Sequence, residues 1–164
     1  MLSLTLGEIE KYNNEADWAA NALLKHFHTR NPFTILQLIN TNISTLSLTH
    51  NIGGFTDITS SDNGLHVNIY INKEYDSFSQ RIIAAHELGH VIFDSDAQLN
   101  MFSDEKTYSN ISDYRADLFA VKLLGLVKNT NETKNFYTPE EVHKIIMSKL
   151  LYSKKGCYVT LKQQ

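Results

Sequence analysis

Apolar residues recur at helical spacing in five segments of the chain, and each segment predicts an amphipathic helix. The apolar stripes run over residues 16–27, 33–39, 78–92, 116–127 and 142–150. Residues that commonly cap helices precede four of these segments; the candidates are Asn13 or Asn14, Asn31, Ser109 or Asn110, and Thr138. The pattern therefore predicts about five helices.

Residues 43–72 follow a different pattern, in which apolar and polar residues alternate with a period of two. Three short strands are predicted there, over residues 45–49, 55–59 and 65–72. Turn-forming residues separate these strands, and such short connections favour antiparallel pairing. The predicted fold class is therefore α+β, with a small three-stranded antiparallel sheet packed against the helices.

The third predicted strand leads directly into the helix over residues 78–92, so it is expected to lie beside that helix. If this strand forms an edge of the sheet, its free backbone groups can bind an extended peptide by strand addition. After the helix, residues 94–108 are polar and irregular. They predict a loop of a length that is usually functional or mobile.

Composition narrows the classes of protein that are compatible with the chain. With 164 residues it is long enough for one domain with a buried core, and we assign residues 1–164 to a single domain. A net charge of -3 gives no basic footprint for nucleic acid. No apolar run reaches the roughly 18 residues that a membrane span needs, and the N-terminus lacks the pattern of a signal peptide. The single cysteine, Cys157, fits a reducing compartment, so we expect a cytoplasmic protein.

The helix over residues 78–92 contains the motif His-Glu-Leu-Gly-His at residues 86–90. Two histidines four residues apart lie about one helical turn from each other, so both imidazoles can reach the same metal ion. The glutamate between them is not a ligand in this pattern but takes a proton from water that the metal activates. His86 and His90 are therefore candidate metal ligands, and Glu87 is the candidate catalytic base.

The next predicted helix supplies a third candidate ligand. Its apolar stripe, extended backwards by three positions from Ala116, reaches Asp113, and Asp117 lies one turn further on. A carboxylate on the buried side of a helix is costly unless it is paired or bound to a metal. Two histidines and one acid can hold Zn²⁺ with one position left for water, so Asp113 is the predicted third ligand. Asp117 is then expected to accept a hydrogen bond from the outer nitrogen of a ligand histidine.

Two other aspartates remain alternatives for the third ligand. In the extended metzincin pattern this ligand lies six residues after the second histidine, at Asp96 here, but Phe93 stands where that pattern has glycine. Asp94 is a more remote alternative. The donor that would stabilise a tetrahedral oxyanion is not identified, although Tyr108 and Tyr114 lie nearby in the sequence.

These residues make the chain resemble the ImmA/IrrE-type metallopeptidases. Beyond the HELGH helix, the resemblance rests on six residues of the next helix: Ala116, Asp117, Phe119, Ala120, Leu123 and Leu124. The family's usual glutamate is Asp113 here, which is one methylene shorter, and Gly125 and Leu126 stand where a proline often follows. The resemblance implies a zincin-like minimal metallopeptidase fold.

The same resemblance implies a cytoplasmic zinc endopeptidase that inactivates a helix-turn-helix repressor, often one encoded on a phage or mobile element. The alternative is a non-cleaving binding protein, similar to an antirepressor, that captures its partner on the same zinc scaffold. Glu87 favours the enzyme because a purely structural zinc site has no need of a base, whereas the shorter acid at Asp113 favours the binding protein. Both readings imply a protein partner and no direct contact with nucleic acid or membrane.

Overall fold

A computed structural model describes residues 2–94, 99–103, 110–127, 136–154 and 157–160 of the chain. The described helices are α1 (Leu6–Phe27), α2 (Pro32–Leu38), α3 (Ser77–Phe93), α4 (Ile111–Leu124) and α5 (Pro139–Met147). The described strands are β1 (Asn42–Leu46), β2 (Ile52–Ser61), β3 (Gly64–Asn72), β4 (Leu99–Ser103), β5 (Leu151–Lys154) and β6 (Cys157–Thr160). None of the described helices is long and apolar enough to cross a membrane. The predicted α+β class, with about five helices, is confirmed.

The main sheet has four strands in the order β1-β3-β2-β4, and β5 and β6 form a separate hairpin. β2 is antiparallel to both β3 and β4, whereas β1 runs parallel to β3. Strands form close to all three predicted places and belong to one sheet, but the first one, predicted over residues 45–49, lies at Asn42–Leu46. The prediction of a purely antiparallel, three-stranded sheet is nevertheless wrong, because the sheet is mixed and includes a fourth strand.

The parallel pair arises because the connection between β1 and β2 crosses the end of β3 instead of forming a hairpin. Asn72, the buried last residue of β3, is hydrogen-bonded to this connection. Its side-chain amide donates to the carbonyl oxygens of Leu48, Thr49 and Ile52 at 2.8–3.3 Å. Alternation along a strand fixes which side chains face the core, but it does not specify which strand lies next to it.

The segment predicted as an irregular loop, residues 94–108, contains β4. This strand pairs with β2, so that Asn100 lies opposite Thr56 and Met101 lies opposite Phe55. β3 lies between β1 and β2, so the condition for peptide binding at an edge of β3 is not met. Within the described residues, the outer strands of this sheet are β1 and β4.

The first helix begins earlier than predicted. Its N-cap is Thr5, whose hydroxyl accepts the N–H of Glu8 while the Glu8 carboxylate accepts the N–H of Thr5. Asn13, a predicted cap, lies inside α1 and is buried, and its amide donates to the Tyr114 hydroxyl. The structure confirms three other predicted caps: Asn31, Asn110 and Thr138.

The third helix, α3, lies in the centre of the molecule and packs against α2, α4 and the sheet. All its residues from Ile82 to His90 are buried. Its beginning is held by the C-terminal region, since the N–H of Asp76 donates to the carbonyl of Leu151 and the N–H of Leu151 donates to Ser79 Oγ. The motif residues therefore lie on the most enclosed helix of the described fold.

Candidate metal centre

Two histidines of α3 form the middle of the site. Asp76 caps the helix by accepting the N–H of Ser79, which satisfies a backbone donor in the first turn. His86 and His90 lie one turn apart on this helix, and both side chains are buried. Their Nε2 atoms are 2.9 Å apart. α3 therefore brings both imidazoles to one point.

The fourth helix brings a carboxylate to the same point. Asp113 Oδ1 lies 3.4 Å from His90 Nε2 and 4.0 Å from His86 Nε2. Ligand atoms about 2.0–2.1 Å from a tetrahedral zinc ion are about 3.3 Å from one another, so these separations are close to the required ones. The three side chains form a group that could hold a metal ion. The group opens to solvent on the Asp113 side, where that side chain is 29% exposed.

A close contact between helices allows the short aspartate to reach the histidines. Gly89 faces Ala116 across the interface of α3 and α4, and a Cβ atom at position 89 would lie only 2.9 Å from Ala116 Cα. Non-bonded carbon atoms in protein interiors do not approach that closely, so any side chain at this position would push the helices apart. The glycine of the motif thus sets the distance between the histidines and Asp113.

The outer nitrogen of each histidine is hydrogen-bonded to a carboxylate. His86 Nδ1 lies 2.6 Å from Asp117 Oδ1, and His90 Nδ1 lies 2.7 Å from Asp94 Oδ2. Carboxylate partners assign the proton of each ring to Nδ1, which leaves the two Nε2 lone pairs facing each other. Such a pair repels unless a cation, either a proton or a metal ion, lies between them. This donor set therefore fits a metal ion.

Sequence reasoning considered Asp94 only as an alternative ligand and did not identify Ser112. The Ser112 hydroxyl, in the first turn of α4, donates to Asp94 Oδ2 at 2.5 Å and lies 3.1 Å from His90 Nδ1. The four-residue spacing from His90 to Asp94 is visible in the sequence. It becomes informative only once α3 is known to continue as far as Phe93. Asp96, the other alternative ligand, lies outside the described residues.

The glutamate of the motif faces the sheet and is fully buried. Glu87 Oε2 accepts a hydrogen bond from Thr56 Oγ1 on β2 at 2.5 Å. Glu87 Oε1 is also buried, and within the described residues it has no hydrogen-bond partner. Gly54 lets the strand approach α3, because a Cβ atom there would lie 2.8 Å from Ile83 Cγ2. No sequence signal pointed to Thr56, which is 31 residues from Glu87.

Burial and neighbouring charges shift the pKa values of the central groups. Burial raises the pKa of Glu87, although the charges of His86 and His90 act in the opposite direction. Burial lowers the pKa of His90, but hydrogen bonds to Asp113 and Asp94 outweigh it and raise this pKa to about 9. Burial acts to raise the pKa of Asp113, but the hydrogen bond from His90 acts the other way, and the pKa is lowered. Without a metal, a protonated His90 therefore lies beside ionised carboxylates.

One candidate for the oxyanion donor is excluded by its position. The Tyr114 hydroxyl donates to the carbonyl of Tyr137 at 2.7 Å and accepts from Asn13 Nδ2, and its ring packs against Tyr12 of α1. Burial raises the pKa of Tyr114 to about 12. This side chain therefore belongs to the interface of α1 and α4. Tyr108, the other candidate, lies outside the described residues.

An α+β fold in which an HExxH helix and the following helix bring together two histidines and a carboxylate is typical of metallopeptidase domains. The sequence profile of the Peptidase M78 family, described as the IrrE N-terminal-like domain, matches residues 39–124. The chain therefore belongs to this family, and the resemblance to ImmA/IrrE-type proteins is confirmed. The matched residues include β1, β2, β3, α3 and α4, which carry the whole candidate site.

A phage protein is among the relatives of the chain. "Uncharacterized immunity region protein 2" of Bacillus phage phi105 is 31% identical to it over 108 residues. The match covers 65% of this chain and 65% of the phage protein, which is less than two thirds of that relative's length.

Proposed function

We propose that the protein is a zinc-dependent endopeptidase that cuts a protein partner in the cytoplasm. The observation that carries the proposal is the arrangement around α3. A group that could hold a metal ion lies beside a buried Glu87 whose Oε1 has no hydrogen-bond partner within the described residues. A buried carboxylate oxygen without a partner is costly, and such atoms mark places that a ligand or water completes. A purely structural zinc site would not need this glutamate.

The metal would be held by three side chains. His86 and His90 would bind through Nε2, since their Nδ1 atoms are engaged by carboxylates, and Asp113 would contribute one oxygen. A bound Zn²⁺ supplies Lewis acidity, which polarises a substrate carbonyl and lowers the pKa of water. The side of the group that is open at Asp113 leaves an approach for the substrate.

Proton transfer would be the task of Glu87. In this proposal its Oε1 takes a proton from the attacking water, while Thr56 holds Oε2 in place. The same carboxyl then passes the proton to the leaving amine. Burial raises the pKa of Glu87, and a carboxyl with a raised pKa is better suited to accept and release a proton near neutral pH.

The substrate in this proposal is a helix-turn-helix repressor of a phage or mobile element. Two findings support it: membership of the IrrE N-terminal-like family and similarity to a phage protein named for an immunity region. The net charge of -3 favours a protein partner over direct binding to nucleic acid.

The test compares the native protein with Glu87→Gln and with Glu10→Gln, which alters an exposed glutamate of α1. Each zinc-loaded protein is incubated with the repressor encoded by the same genetic element, and fragments are identified by mass spectrometry. We expect equal zinc content in all three proteins, and cleavage by all except Glu87→Gln. Equal cleavage by Glu87→Gln would contradict the proposed base. Tight binding of an intact repressor by the native protein would instead support the non-cleaving binding protein.

A further inference from the structure

A serine and an aspartate meet at the outer nitrogen of His90. Asp94 Oδ2 lies 2.7 Å from His90 Nδ1, and Ser112 Oγ lies 2.5 Å from the same Oδ2 and 3.1 Å from Nδ1. The three atoms form a closed triangle at the junction of α3 and α4. His90 itself is buried, while the Asp94 side chain is 16% exposed.

This triangle selects one tautomer of the ring. The short distance from Ser112 Oγ to Asp94 Oδ2 places the hydroxyl proton between these two oxygens. The Oγ lone pairs and the carboxylate are then both available to the His90 Nδ1–H. If Nδ1 carried no proton, its lone pair would face two oxygen atoms with no hydrogen atom available for a hydrogen bond. In the neutral form that binds a metal, the ring therefore has its proton on Nδ1 and its lone pair on Nε2.

The two histidines are held in different ways. His86 has Asp117, a buried residue of α4, as its carboxylate partner. The carboxylate partner of His90 is the C-cap of its own helix, and Ser112 of α4 holds that carboxylate in turn. Helix ends fray more easily than helix interiors, so a side chain at a C-cap needs a second contact to stay in place.

We propose that Asp94 and Ser112 act together as positioning residues for His90, holding its ring so that Nε2 is presented to the metal. The inference rests on the metal site of the proposed function but not on peptide cleavage. Mutation of the outer partner of a metal-binding histidine typically lowers metal affinity by about 10–100-fold. An effect of this size is measurable even where cleavage is not observed.

The experiment measures zinc affinity by competition with a chromophoric chelator, and records the visible spectrum of the Co²⁺-loaded protein, for the native chain and four variants. Asp94→Asn keeps the size of the side chain but removes its charge, and Ser112→Ala removes the hydroxyl. Ser112→Thr restores a hydroxyl, and Ser77→Ala alters an exposed serine at the start of α3. Urea unfolding of each metal-free protein shows how far the fold itself is affected.

We expect zinc affinity to fall about 10–100-fold in Asp94→Asn and about tenfold in Ser112→Ala, with a changed Co²⁺ spectrum in both. Ser112→Thr and Ser77→Ala should stay within about twofold of native and keep its spectrum. Native affinity and an unchanged spectrum in Asp94→Asn and Ser112→Ala would overturn the inference. So would an affinity loss that merely follows lower stability and leaves the spectrum unchanged. If the native protein binds zinc and the variants behave as expected, but no partner is cut, the inference stands and the peptidase proposal fails; a native protein that binds no zinc overturns both.

Discussion

The two sides of α3 carry different parts of the candidate site and depend on different neighbours. On the ligand side, His86 and His90 meet Asp113 of α4, and the contact of Gly89 with Ala116 sets the spacing. On the base side, Glu87 meets Thr56 of β2, and Gly54 sets the spacing. The ligand side is a set of charged groups joined by hydrogen bonds. The base side, within the part of the chain that the structure describes, is one buried carboxylate with one hydrogen bond.

This difference indicates that metal binding and proton transfer can be disturbed separately. A change at the interface of α3 and α4 should weaken metal binding, whereas a change at the interface of α3 and β2 should leave the metal in place and affect the base. Both sides belong to the same buried helix, so the burial of α3 does not explain the difference between them.

The largest effect is expected from removing Asp113, the proposed third ligand. Asp113→Ala should lower zinc affinity by more than about 100-fold, because loss of a direct ligand costs more than loss of an outer partner. Asp113→Glu should lose less zinc affinity, because a carboxylate remains. Some loss is still expected, since the longer side chain must bend to fit a distance that aspartate already spans. Chelator competition measures both. Native affinity in Asp113→Ala would show that the ligand side is wrongly assigned.

The second-largest effect is the pH dependence of zinc affinity, which is expected only on the ligand side. His90 has a pKa of about 9 in the metal-free protein; burial lowers this pKa, and hydrogen bonds to Asp113 and Asp94 raise it by more. A metal ion must displace this proton, so zinc affinity should rise about tenfold per pH unit between pH 7 and 9 and then level off. A flat profile over this range would contradict the assignment of His90.

The stability of the metal-free protein should instead fall as the pH rises. A histidine whose pKa is higher in the folded than in the unfolded chain stabilises the fold below the unfolded pKa of about 6.5. That contribution is lost as the pH rises towards about 9. Urea unfolding at a series of pH values measures it, with Asp57→Asn as a control that alters an aspartate of β2 outside the candidate site.

The third comparison substitutes the two glycines. Gly89→Ala and Gly54→Ala should each destabilise the fold by about 1–3 kcal/mol, because an added Cβ atom would collide with Ala116 in one case and with Ile83 and a strand carbonyl in the other. Only Gly89→Ala should also weaken zinc binding, by moving Asp113 away from the histidines. Equal losses of zinc affinity in the two variants would show that the two sides are not separable.

The smallest effect is expected on the base side. Burial raises the pKa of Glu87, so the folded state favours its protonated form. This contribution is present below the unfolded pKa of about 4.3 and is lost as the pH rises, which makes the ionised carboxylate a cost at pH 8. Glu87→Gln cannot ionise, so metal-free Glu87→Gln should have a higher Tm than native at pH 8. A difference of the same size at pH 4 would contradict this explanation.

Much of the helical part of the site could be predicted from the sequence because helical spacing determines which residues share a face. The spacing of His86 and His90 predicts a common point, and extension of the next stripe reaches Asp113 and Asp117. All of these predictions concern residues on one helix at a time. The structure adds the close contact at Gly89 that brings the two helices together.

The sheet and the contacts between elements could not be predicted in the same way. The alternation of apolar and polar residues does not predict that β1 pairs with β3. The polar residues after α3 likewise do not predict β4. Thr56 contacts Glu87 from a distant strand, and Ser112 contacts Asp94 across a helix junction. Such contacts depend on the packing of elements, which the order of residues within one element does not specify.

The most direct test of the central claim is a crystal structure of the zinc-loaded protein with anomalous data collected at the zinc edge. The account predicts one ion about 2.0–2.2 Å from His86 Nε2, His90 Nε2 and an Asp113 oxygen, with a fourth position that no protein atom fills. An ion bound elsewhere, or one enclosed by four protein ligands, would contradict it.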